Sequence, residues 1–231
     1  MGIHSKVWGQ YLWRLLHSIT YSYDPKMPDE LKDKYEKFFN VLKDFLPCPV
    51  CREHYKQRCS RNPPENNMRS TEQFVLWLNN LHNEVNAGLG KPLVSLREAN
   101  NNYVRDGRLT YDFNDLITLF KIMSLIKNLN FPAIRKFLIL LFEIYPENIL
   151  IQKTPKSYRN IVHINNNPSV TNWINSFSNE FFNTGPVDSL QNIPNVYYNK
   201  KDNPNNNVEI RQTSRLVKTD IQEFLKKYKL I

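Results

Sequence analysis

The chain has 231 residues, 41% of them hydrophobic and 13% aromatic, which is enough for one large core or two modest ones. Its six glycines and 14 prolines are too few for a collagen-like chain or a glycine-rich repeat protein. The formal net charge of +9 is spread over both halves without a long basic run, so it serves solubility and does not by itself indicate a nucleic-acid surface.

The sequence shows no membrane or secretion signal. Its first residues, MGIHSKVWGQYLW, lack the apolar stretch of a signal peptide, and Lys6 breaks the myristoylation pattern after Gly2. The longest apolar run, FLILLF at 137–142, is far shorter than the roughly 20 residues that span a bilayer. We therefore expect a soluble, non-secreted chain without a disulfide framework.

The first hundred residues predict a helical bundle. Pro47 ends the second helix, Pro49 suits the first turn of the third, and Ser70 is placed as the N-cap of the fourth, with Gln73 completing a capping box. The glycines at 88 and 90 end that fourth helix. Apolar periodicity predicts helices over residues 8–23, 29–46, 48–60 and 70–89, and a short fifth helix over 95–103.

The second half of the chain has a different character. Apolar helical patterns cover 111–130 and 133–145, separated by NFPA. Residues 152–213 are rich in Asn and predict loops and short elements with partial disorder, and a closing helix is predicted over 214–230. We therefore predict an all-α fold: a four-helix bundle with a short fifth helix in a domain at 1–108, and a second, mainly helical domain at 109–231 whose role no motif reveals.

All three cysteines lie in one stretch, LPCPVCREHYKQRCSRNPPE, at residues 46–65. On a helix, Cys48 and Cys51 are about one turn apart, inside the range of roughly 4.4–6.8 Å between Cα atoms that a disulfide bridges. Both are predicted in a first helical turn, where the helix dipole lowers the pKa of a thiol. Cys59 lies about 12 Å further along the helix, too far to pair, and is left over.

Three explanations of the cysteine pair compete. Cys48, Cys51, His54 and Cys59 offer four zinc ligands, but their spacing matches no zinc motif and one rigid helix cannot bring all four to one centre. A thioredoxin-like motif requires a strand before the helix, whereas these surroundings are helical. The pair can also occur by chance, because two cysteines alone are a weak signal.

The segment WLNNLHNEVNAGLGKP at 77–92 supplies groups for a large polar ligand. Its hydrogen-bonding side chains suit a ligand that carries phosphates: His82, Asn83, Asn86 and Lys91. Three tryptophans offer flat apolar surfaces for a ring system, although core packing is the more common role for any one of them: Trp8, Trp13 and Trp77. Together with a redox-type cysteine pair, these groups suggest a flavin.

These motifs resemble those of a known family. WGQYLWRLLHSIT carries a W-x3-H pair at Trp13 and His17, the cysteine pair is followed by REHY, and HNEVNAGLGKP fits the pattern HNxVNxxLGKP. In this spacing the chain resembles the flavin-linked sulfhydryl oxidases of the Erv/ALR type over residues 5–105. The resemblance also extends to NYVRDG at 102–107, which supplies Tyr103.

The resemblance implies an enzyme with FAD as cofactor and no metal. Cys51, nearer the isoalloxazine, passes two electrons to the flavin as a thiolate, and Cys48 exchanges with substrate dithiols. Reduced FAD then gives its electrons to oxygen, which yields hydrogen peroxide. Tyr103 is expected against the adenine. The full set of FAD-binding residues implied by the resemblance is Gly9, Trp13, His17, His54, Trp77, His82, Asn83, Asn86, Lys91 and Tyr103.

The chain also departs from the family. The usual Cys-x16-Cys crosslink falls on Asn79 and Leu96, and no shuttle cysteine pair is present. Missing crosslinks and a large additional domain resemble the oxidases of large DNA viruses.

The resemblance further implies partners and a location. We expect substrate proteins with reduced dithiols, molecular oxygen, and a homodimer through the first two helices, with neither membrane nor nucleic acid. The expected location is the host cytoplasm, a virus assembly site or the virion, with the mitochondrial intermembrane space as the alternative. The competing hypothesis is a non-catalytic zinc or scaffold module with a basic surface that binds nucleic acid; a yellow flavin protein would exclude it.

Overall fold

A computed structural model of the protein describes residues 5–105, 108–110, 113–126, 129–145, 149–183 and 196–197. Helices dominate these ranges, so the predicted all-α class is confirmed. The α-helices are α1 (Ser5–Tyr21), α2 (Asp29–Phe45), α3 (Pro49–Arg61), α4 (Thr71–Gly88), α5 (Leu96–Tyr103), α6 (Phe113–Ser124), α7 (Phe131–Ile144), α8 (Ile149–Lys153), α9 (Pro155–Asn160) and α10 (Asn167–Asn183). Two 3-10 turns, at Pro64–Asn67 and Ile161–His163, connect helices.

Helices α1 to α4 form the predicted bundle, and its boundaries follow local chemistry. α2 ends just before Pro47, and Cys48 is the N-cap of α3 with Pro49 in the first turn. At the start of α4, the Ser70 hydroxyl accepts a hydrogen bond from the Gln73 backbone N–H at 3.2 Å, as the sequence predicts. Gly90, with φ +65°, turns the chain after α4 in the left-handed region that favours glycine.

The second half of the chain packs directly on this bundle. α6 lies against α1, and α7 lies against α2. The Phe137 ring on α7 contacts Phe38 at 5.1 Å between centroids and stacks on Phe45 at 3.7 Å, both on α2. The buried apolar residues of both halves therefore belong to one continuous core. The domain boundary near residue 108 stays a prediction, since this core joins both sides of it.

Three short strands lie beside α5, where the sequence predicts none. β1 (Val104–Arg105) pairs antiparallel with β2 (Arg108–Thr110), and β2 pairs in parallel with β3 (Val196–Tyr197). A two- or three-residue strand is too short to show an alternating pattern, which explains why periodicity cannot predict it.

The prediction of loops over 152–213 is wrong for much of that range. α10 (Asn167–Asn183) is as long as α1 or α2, and its polar asparagines lie between apolar residues at helical spacing. The buried stripe consists of Val170, Trp173, Ile174, Phe177 and Phe181. Tertiary burial of this stripe outweighs the low helix propensity of Asn and Ser. The predicted closing helix over 214–230 lies outside the described residues.

The two central apolar helices differ from the prediction in their bounds: α6 is shorter than the predicted 111–130, and α7 begins two residues before the predicted 133. α6 ends at Ser124, and α7 begins at Phe131, where the Asn130 side chain accepts a hydrogen bond from the Ala133 N–H at 3.2 Å. NFPA is therefore the N-cap and first turn of α7, and not a separator before it. None of the described helices is long and apolar enough to cross a bilayer.

Candidate active site

A cavity of about 590 Å³ lies between α1, α3, α4 and the end of α5. This volume is typical of a site for a cofactor or a drug-sized ligand. Eight of the predicted site residues, far apart in sequence, line it together: Gly9, Trp13, Cys51, His54, His82, Asn86, Lys91 and Tyr103.

The two paired cysteines take different positions at this cavity. Cys51 lines it, on the first turn of α3, whereas Cys48 lies outside the lining as the N-cap of that helix. The Cys48 sulfur accepts a hydrogen bond from the Cys51 backbone N–H at 3.2 Å. Both residues are half-buried free thiols in this structure. α3 thus places Cys51 in the cavity wall and Cys48 next to that wall, within a single turn.

The expected low thiol pKa is wrong for Cys51 in this state. Burial raises the pKa of the Cys51 thiol well above its usual range, and its hydrogen bond with Cys48 adds to the increase. Desolvation of the thiolate outweighs the favourable field of the helix N-terminus, because the sulfur faces a largely apolar lining. The dithiol state of the pair therefore favours a neutral Cys51.

Four rings from three helices form two stacks at the cavity. Trp13 stacks on His82 with centroids 4.0 Å apart and planes within 9°. His17 stacks on Tyr103 at 4.3 Å and 13°. His17 Nε2 and His82 Nδ1 join the two stacks by a hydrogen bond of 3.1 Å. The W-x3-H spacing explains this arrangement, because residues four apart share one face of α1.

Both histidines of this network are neutral near neutral pH. Desolvation, followed by the nearby His82, lowers the pKa of His17 to about 3. Desolvation, followed by Lys91, lowers the pKa of His82 to about 4. Neutral imidazoles offer one donor and one acceptor each. The Nδ1 atom of His17 is nevertheless buried without a hydrogen-bond partner in the described structure, which is costly unless a ligand or a water satisfies it.

Positive side chains line the cavity beside the rings. Arg14 pairs with Asp115 at 2.7 Å, and Arg58 pairs with Glu84 at 3.0 Å. Of the lysine and arginine side chains in this lining, Lys91 alone has no ion pair among the described residues, and it is exposed. A ring system against the Trp13–His82 stack and an anionic group near Lys91 would both find complementary surfaces here.

Gly9 keeps one wall of the cavity open. It lies on α1, lines the cavity, and a Cβ atom added to it would have no heavy atom within 4 Å. The missing side chain thus leaves space for a ligand against the α1 backbone. The aromatic wall, the cation and this open position all fit FAD.

Three predicted FAD-binding residues lie outside the cavity lining. His17 stands behind it, in the hydrogen bond to His82. Trp77 is core: it packs on Phe39 and Phe74, and its indole Nε1 donates to the Asn62 carbonyl at 2.9 Å. The placement of Trp77 gives no support to a cofactor contact, and its alternative assignment as a core residue describes it better.

Asn83, the third of these residues, forms a clamp with its neighbour Asn79. The Asn83 side chain donates to the Val94 carbonyl at 2.8 Å and accepts from the Val94 N–H at 2.9 Å. Asn79, which is buried, donates to the same carbonyl at 3.2 Å. These amides tie α4 to the segment that leads into α5, where the family crosslink is missing. The clamp therefore supports the helix that carries Tyr103.

Several cavity residues escape the sequence analysis. Arg58 lies one turn beyond His54 on the same face of α3, and the i, i+4 spacing could have identified it. The other missed residues are mostly apolar, where lining and core packing have the same pattern: Leu12, Leu16, Leu42, Leu46, Val50, Tyr55, Leu81, Val85 and Leu89.

The zinc alternative finds no support in the described residues. Nowhere in that part of the chain do three or more His, Cys, Asp or Glu side chains converge in a way that could hold a metal ion. Cys59, one of the four ligands considered, is buried beside Tyr55, two turns beyond Cys51 on α3, and its thiol pKa is raised by burial. It lies outside the cavity lining.

Comparison with known proteins assigns the first half of the chain. Residues 10–104 match the Erv1/Alr family. A protein of African swine fever virus named FAD-linked sulfhydryl oxidase is 36% identical over 100 residues, which cover 42% of this chain and 79% of the viral protein. The chain belongs to the Erv1/Alr family. The resemblance found in the sequence is thereby confirmed.

For two other relatives, the match with this chain covers a smaller share of the relative's length. A probable FAD-linked sulfhydryl oxidase of Acanthamoeba polyphaga mimivirus is 33% identical over 93 residues, 40% of this chain and 65% of the mimivirus protein. The mitochondrial FAD-linked sulfhydryl oxidase of Saccharomyces cerevisiae is 32% identical over 84 residues, 36% of this chain and 43% of the yeast protein. This chain thus spans between about two fifths and two thirds of these two relatives. The Erv1/Alr match ends at residue 104, before α6 begins.

Proposed function

We propose that this chain is a FAD-dependent thiol oxidase that forms disulfides in substrate proteins through Cys48 and Cys51. The observation that carries the proposal is the position of Cys51 in the wall of an aromatic cavity, with Cys48 outside that wall on the same helical turn. This arrangement allows one sulfur to meet a redox cofactor and the other to meet a substrate. The names of the related proteins support the same activity.

The cavity residues would hold FAD between them. Trp13 and His82 provide a flat stacked surface, Gly9 leaves room beside α1, and Lys91 suits a phosphate. His54, Asn86 and Tyr103 complete the predicted contacts from α3, α4 and α5. When bound, FAD would supply the oxidant that regenerates the Cys48–Cys51 disulfide, and molecular oxygen would take the electrons from it as hydrogen peroxide.

The chain's own chemistry is thiol–disulfide exchange. A substrate thiolate attacks Cys48 of the Cys48–Cys51 disulfide, which forms a mixed disulfide and releases Cys51. A second substrate thiolate attacks the substrate sulfur of that mixed disulfide and releases Cys48. The substrate loses two electrons and two protons in forming its disulfide, and the cysteine pair gains them. Because Cys51 is the leaving group, its partly buried position inside the cavity keeps it next to the cofactor site.

The partners and the location follow from the same assignment. The proposed substrates are proteins with reduced dithiols, since the half-buried cysteine pair lies beside the exposed residues Pro49 and Val50, where a flexible segment can approach. Relatives occur in large DNA viruses and in a mitochondrion, which favours a virus assembly site, the host cytoplasm or the virion, with the intermembrane space as the alternative.

Cysteine variants test the proposal directly. The purified protein is expected to be yellow and to consume oxygen with a dithiol substrate while releasing peroxide. Cys48→Ser and Cys51→Ser should each retain FAD and lose at least a hundredfold in turnover, because each breaks the exchange pair. Cys59→Ser is the matched control and should stay active, since Cys59 lies outside the cavity lining. Near-normal turnover in either active-site variant would exclude the assignment.

A further inference from the structure

We infer that residues 113–183 are a second, degenerate copy of the bundle at 5–88, and that the two copies pair within one chain. The order of helices is the first sign. In the first copy, α1 packs on α4 and α2 packs on α3. In the second, α6 packs on α10 and α7 packs on α8. Each copy thus consists of two long helices, a shorter helical segment and a long closing helix, with the first helix packed on the last.

The closing helices share a sequence pattern. α4 reads WLNNLHNE from Trp77 to Glu84, and α10 reads WINSFSNE from Trp173 to Glu180. Both fit W-x-N-x3-N-E, with an apolar residue directly after the tryptophan and again three residues later. The family comparison does not include this second occurrence, because the match ends at residue 104.

The shared residues make equivalent contacts. Trp77 Nε1 donates to the Asn62 carbonyl at the end of α3, at 2.9 Å, and Trp173 Nε1 donates to the Ser157 carbonyl in α9, at 2.8 Å. Each indole therefore binds the backbone of the helical segment that precedes its own helix. The shared sequence pattern and an indole-to-backbone hydrogen bond thus occur together in both closing helices.

The glutamates at the end of the pattern act similarly. Glu84 accepts from Arg58 on α3 at 3.0 Å. Glu180 accepts from the Ser157 backbone N–H on α9 at 2.8 Å and from the Ser157 hydroxyl at 2.6 Å. In each copy the carboxylate ties the closing helix to the preceding segment.

The two copies meet as two-fold related subunits do. Aligning Leu46–Pro47 with Tyr145–Pro146 places Phe38 opposite Phe137, and these rings contact at 5.1 Å. A residue that touches its own counterpart lies at the axis of an isologous interface. α2 and α7 run antiparallel across it: Tyr35 near the start of α2 donates to the Ile144 carbonyl at the end of α7, at 3.3 Å. The remaining pair, α1 with α6, is held by the Arg14–Asp115 ion pair.

The second copy has lost the redox groups. The same alignment places the buried Leu150 where the first copy has Cys51, and the closing helices place Ser178 where the first copy has His82. The Ser178 hydroxyl is buried without a hydrogen-bond partner among the described residues. No cysteine follows Cys59 in the sequence. The second copy therefore supplies a packing surface and no active site.

This arrangement fills the α1–α2 face from within the chain. The homodimer predicted through the first two helices would need the surface that α6 and α7 cover. We therefore expect a monomer that contains two bundles, of which only the first carries an active site. The inference concerns assembly alone and stands or falls independently of the oxidase activity.

Mass and crosslinking test it on the full chain. Sedimentation equilibrium is expected to give the monomer mass of 27.5 kDa, and a dimer mass would overturn the inference. For crosslinking, all three native cysteines are replaced by serine. Lys34 Nζ on α2 and Glu143 Oε2 on α7 are 3.7 Å apart across the interface, and both side chains are partly exposed. In the double variant Lys34→Cys/Glu143→Cys, a short bismaleimide should therefore crosslink the two cysteines within one chain.

A second cysteine pair provides the matched control. In the same alignment Asp44 is the counterpart of Glu143, so a homodimer through α2 would bring Lys34 of one chain to Asp44 of the other. Within one chain these residues are about 15 Å apart along α2. Lys34→Cys with Asp44→Cys should therefore give no crosslinked dimer. A crosslinked dimer from this pair would overturn the inference. So would a Lys34→Cys/Glu143→Cys protein that forms no crosslink although both of its thiols react with a monofunctional maleimide.

Discussion

His17 and His82 show how burial sets the chemistry of single residues in this site. Each is neutral in the folded chain, and each returns to an ordinary pKa near 6.5 on unfolding. Below that pH the unfolded chain binds protons that the folded chain does not, so stability is present above about pH 6.5 and falls as the pH approaches the folded values of about 4 and 3.

A double variant measures this contribution. We expect the melting temperature of the apoprotein to fall more steeply between about pH 7 and about pH 5 than that of His17→Gln/His82→Gln, because the variant lacks both groups. For a chain of this size, each kcal/mol of linked stability corresponds to roughly 2–4 °C. Parallel pH profiles of the two proteins would show that the histidines are not held neutral.

Gly9 offers a test of the cavity that does not depend on activity. In Gly9→Leu the new side chain would enter the open space beside α1. The apoprotein should gain roughly 0.8 kcal/mol from improved helix propensity, while FAD affinity should fall at least tenfold. Scanning fluorimetry and flavin fluorescence titration measure the two effects, and Gly9→Ala should give a smaller effect on affinity. Unchanged affinity in Gly9→Leu would place the cofactor away from this wall.

At the scale of secondary-structure elements, the amide clamp determines where α5 lies. We expect Asn83→Ala to cost about 1–3 kcal/mol, because it leaves the Val94 N–H without its partner. Asn79→Ala should cost less, because Asn83 still donates to the Val94 carbonyl. FAD should also dissociate faster, since Tyr103 at the end of α5 lines the cavity. Thermal melts and flavin release on dilution measure both effects.

Asn80 provides the control for the clamp, because it is exposed on the same helix. Asn80→Ala should leave stability and FAD release unchanged. Restoring the family crosslink with Asn79→Cys and Leu96→Cys should recover the position of α5. Equal effects at all three asparagines would show that helix propensity, and not the clamp, is responsible.

The sequence predicts those helices whose buried face is marked by regular apolar spacing. α2 and α4 follow from amphipathic spacing and from caps such as Ser70, which act within a few residues. α10 does not, because its asparagines suggest a loop until the buried stripe around Trp173 and Phe177 is recognised. Its W-x-N-x3-N-E pattern acquires meaning only beside α4, in a comparison of the chain with itself.

Prediction from local sequence pattern is limited in the same way for the residues of the site. Spacing brings Trp13 and His17 to one face, and the motif after Trp77 includes His82 and Asn86, which line the cavity. Which side of α4 faces the cavity depends on packing that no local pattern contains, so Trp77 is core instead. The pKa of Cys51 was expected to fall because a helix N-terminus is visible in the sequence, whereas the desolvation that raises it is not.

At the scale of the whole molecule, one core joins the two halves. We therefore expect a single cooperative unfolding transition in calorimetry. Phe137→Ala, which removes the ring between Phe38 and Phe45, should cost about 3–5 kcal/mol and lower the melting temperature of the entire chain, and not of one half. Two separate transitions in the wild-type protein would contradict a common core.

Lys136→Ala is the matched control for this variant, because Lys136 is exposed beside Phe137 on α7. Its effect should stay within about 0.5 kcal/mol. A similar loss in both variants would indicate damage to α7 itself and not to the interface with α2.

The amide clamp has one more consequence, for the behaviour of the protein toward reducing agents. Where the family crosslink would be, α5 is held by neutral hydrogen bonds from Asn79 and Asn83, which no thiol reagent attacks. The three cysteines of the chain all lie at or near α3, and the two proposed for catalysis are one turn apart. The proposed Cys48–Cys51 disulfide can therefore be reduced and reoxidised without breaking any covalent bond that positions α5. The fold should be as stable in excess dithiol as in air, which thermal melts in the two conditions would measure.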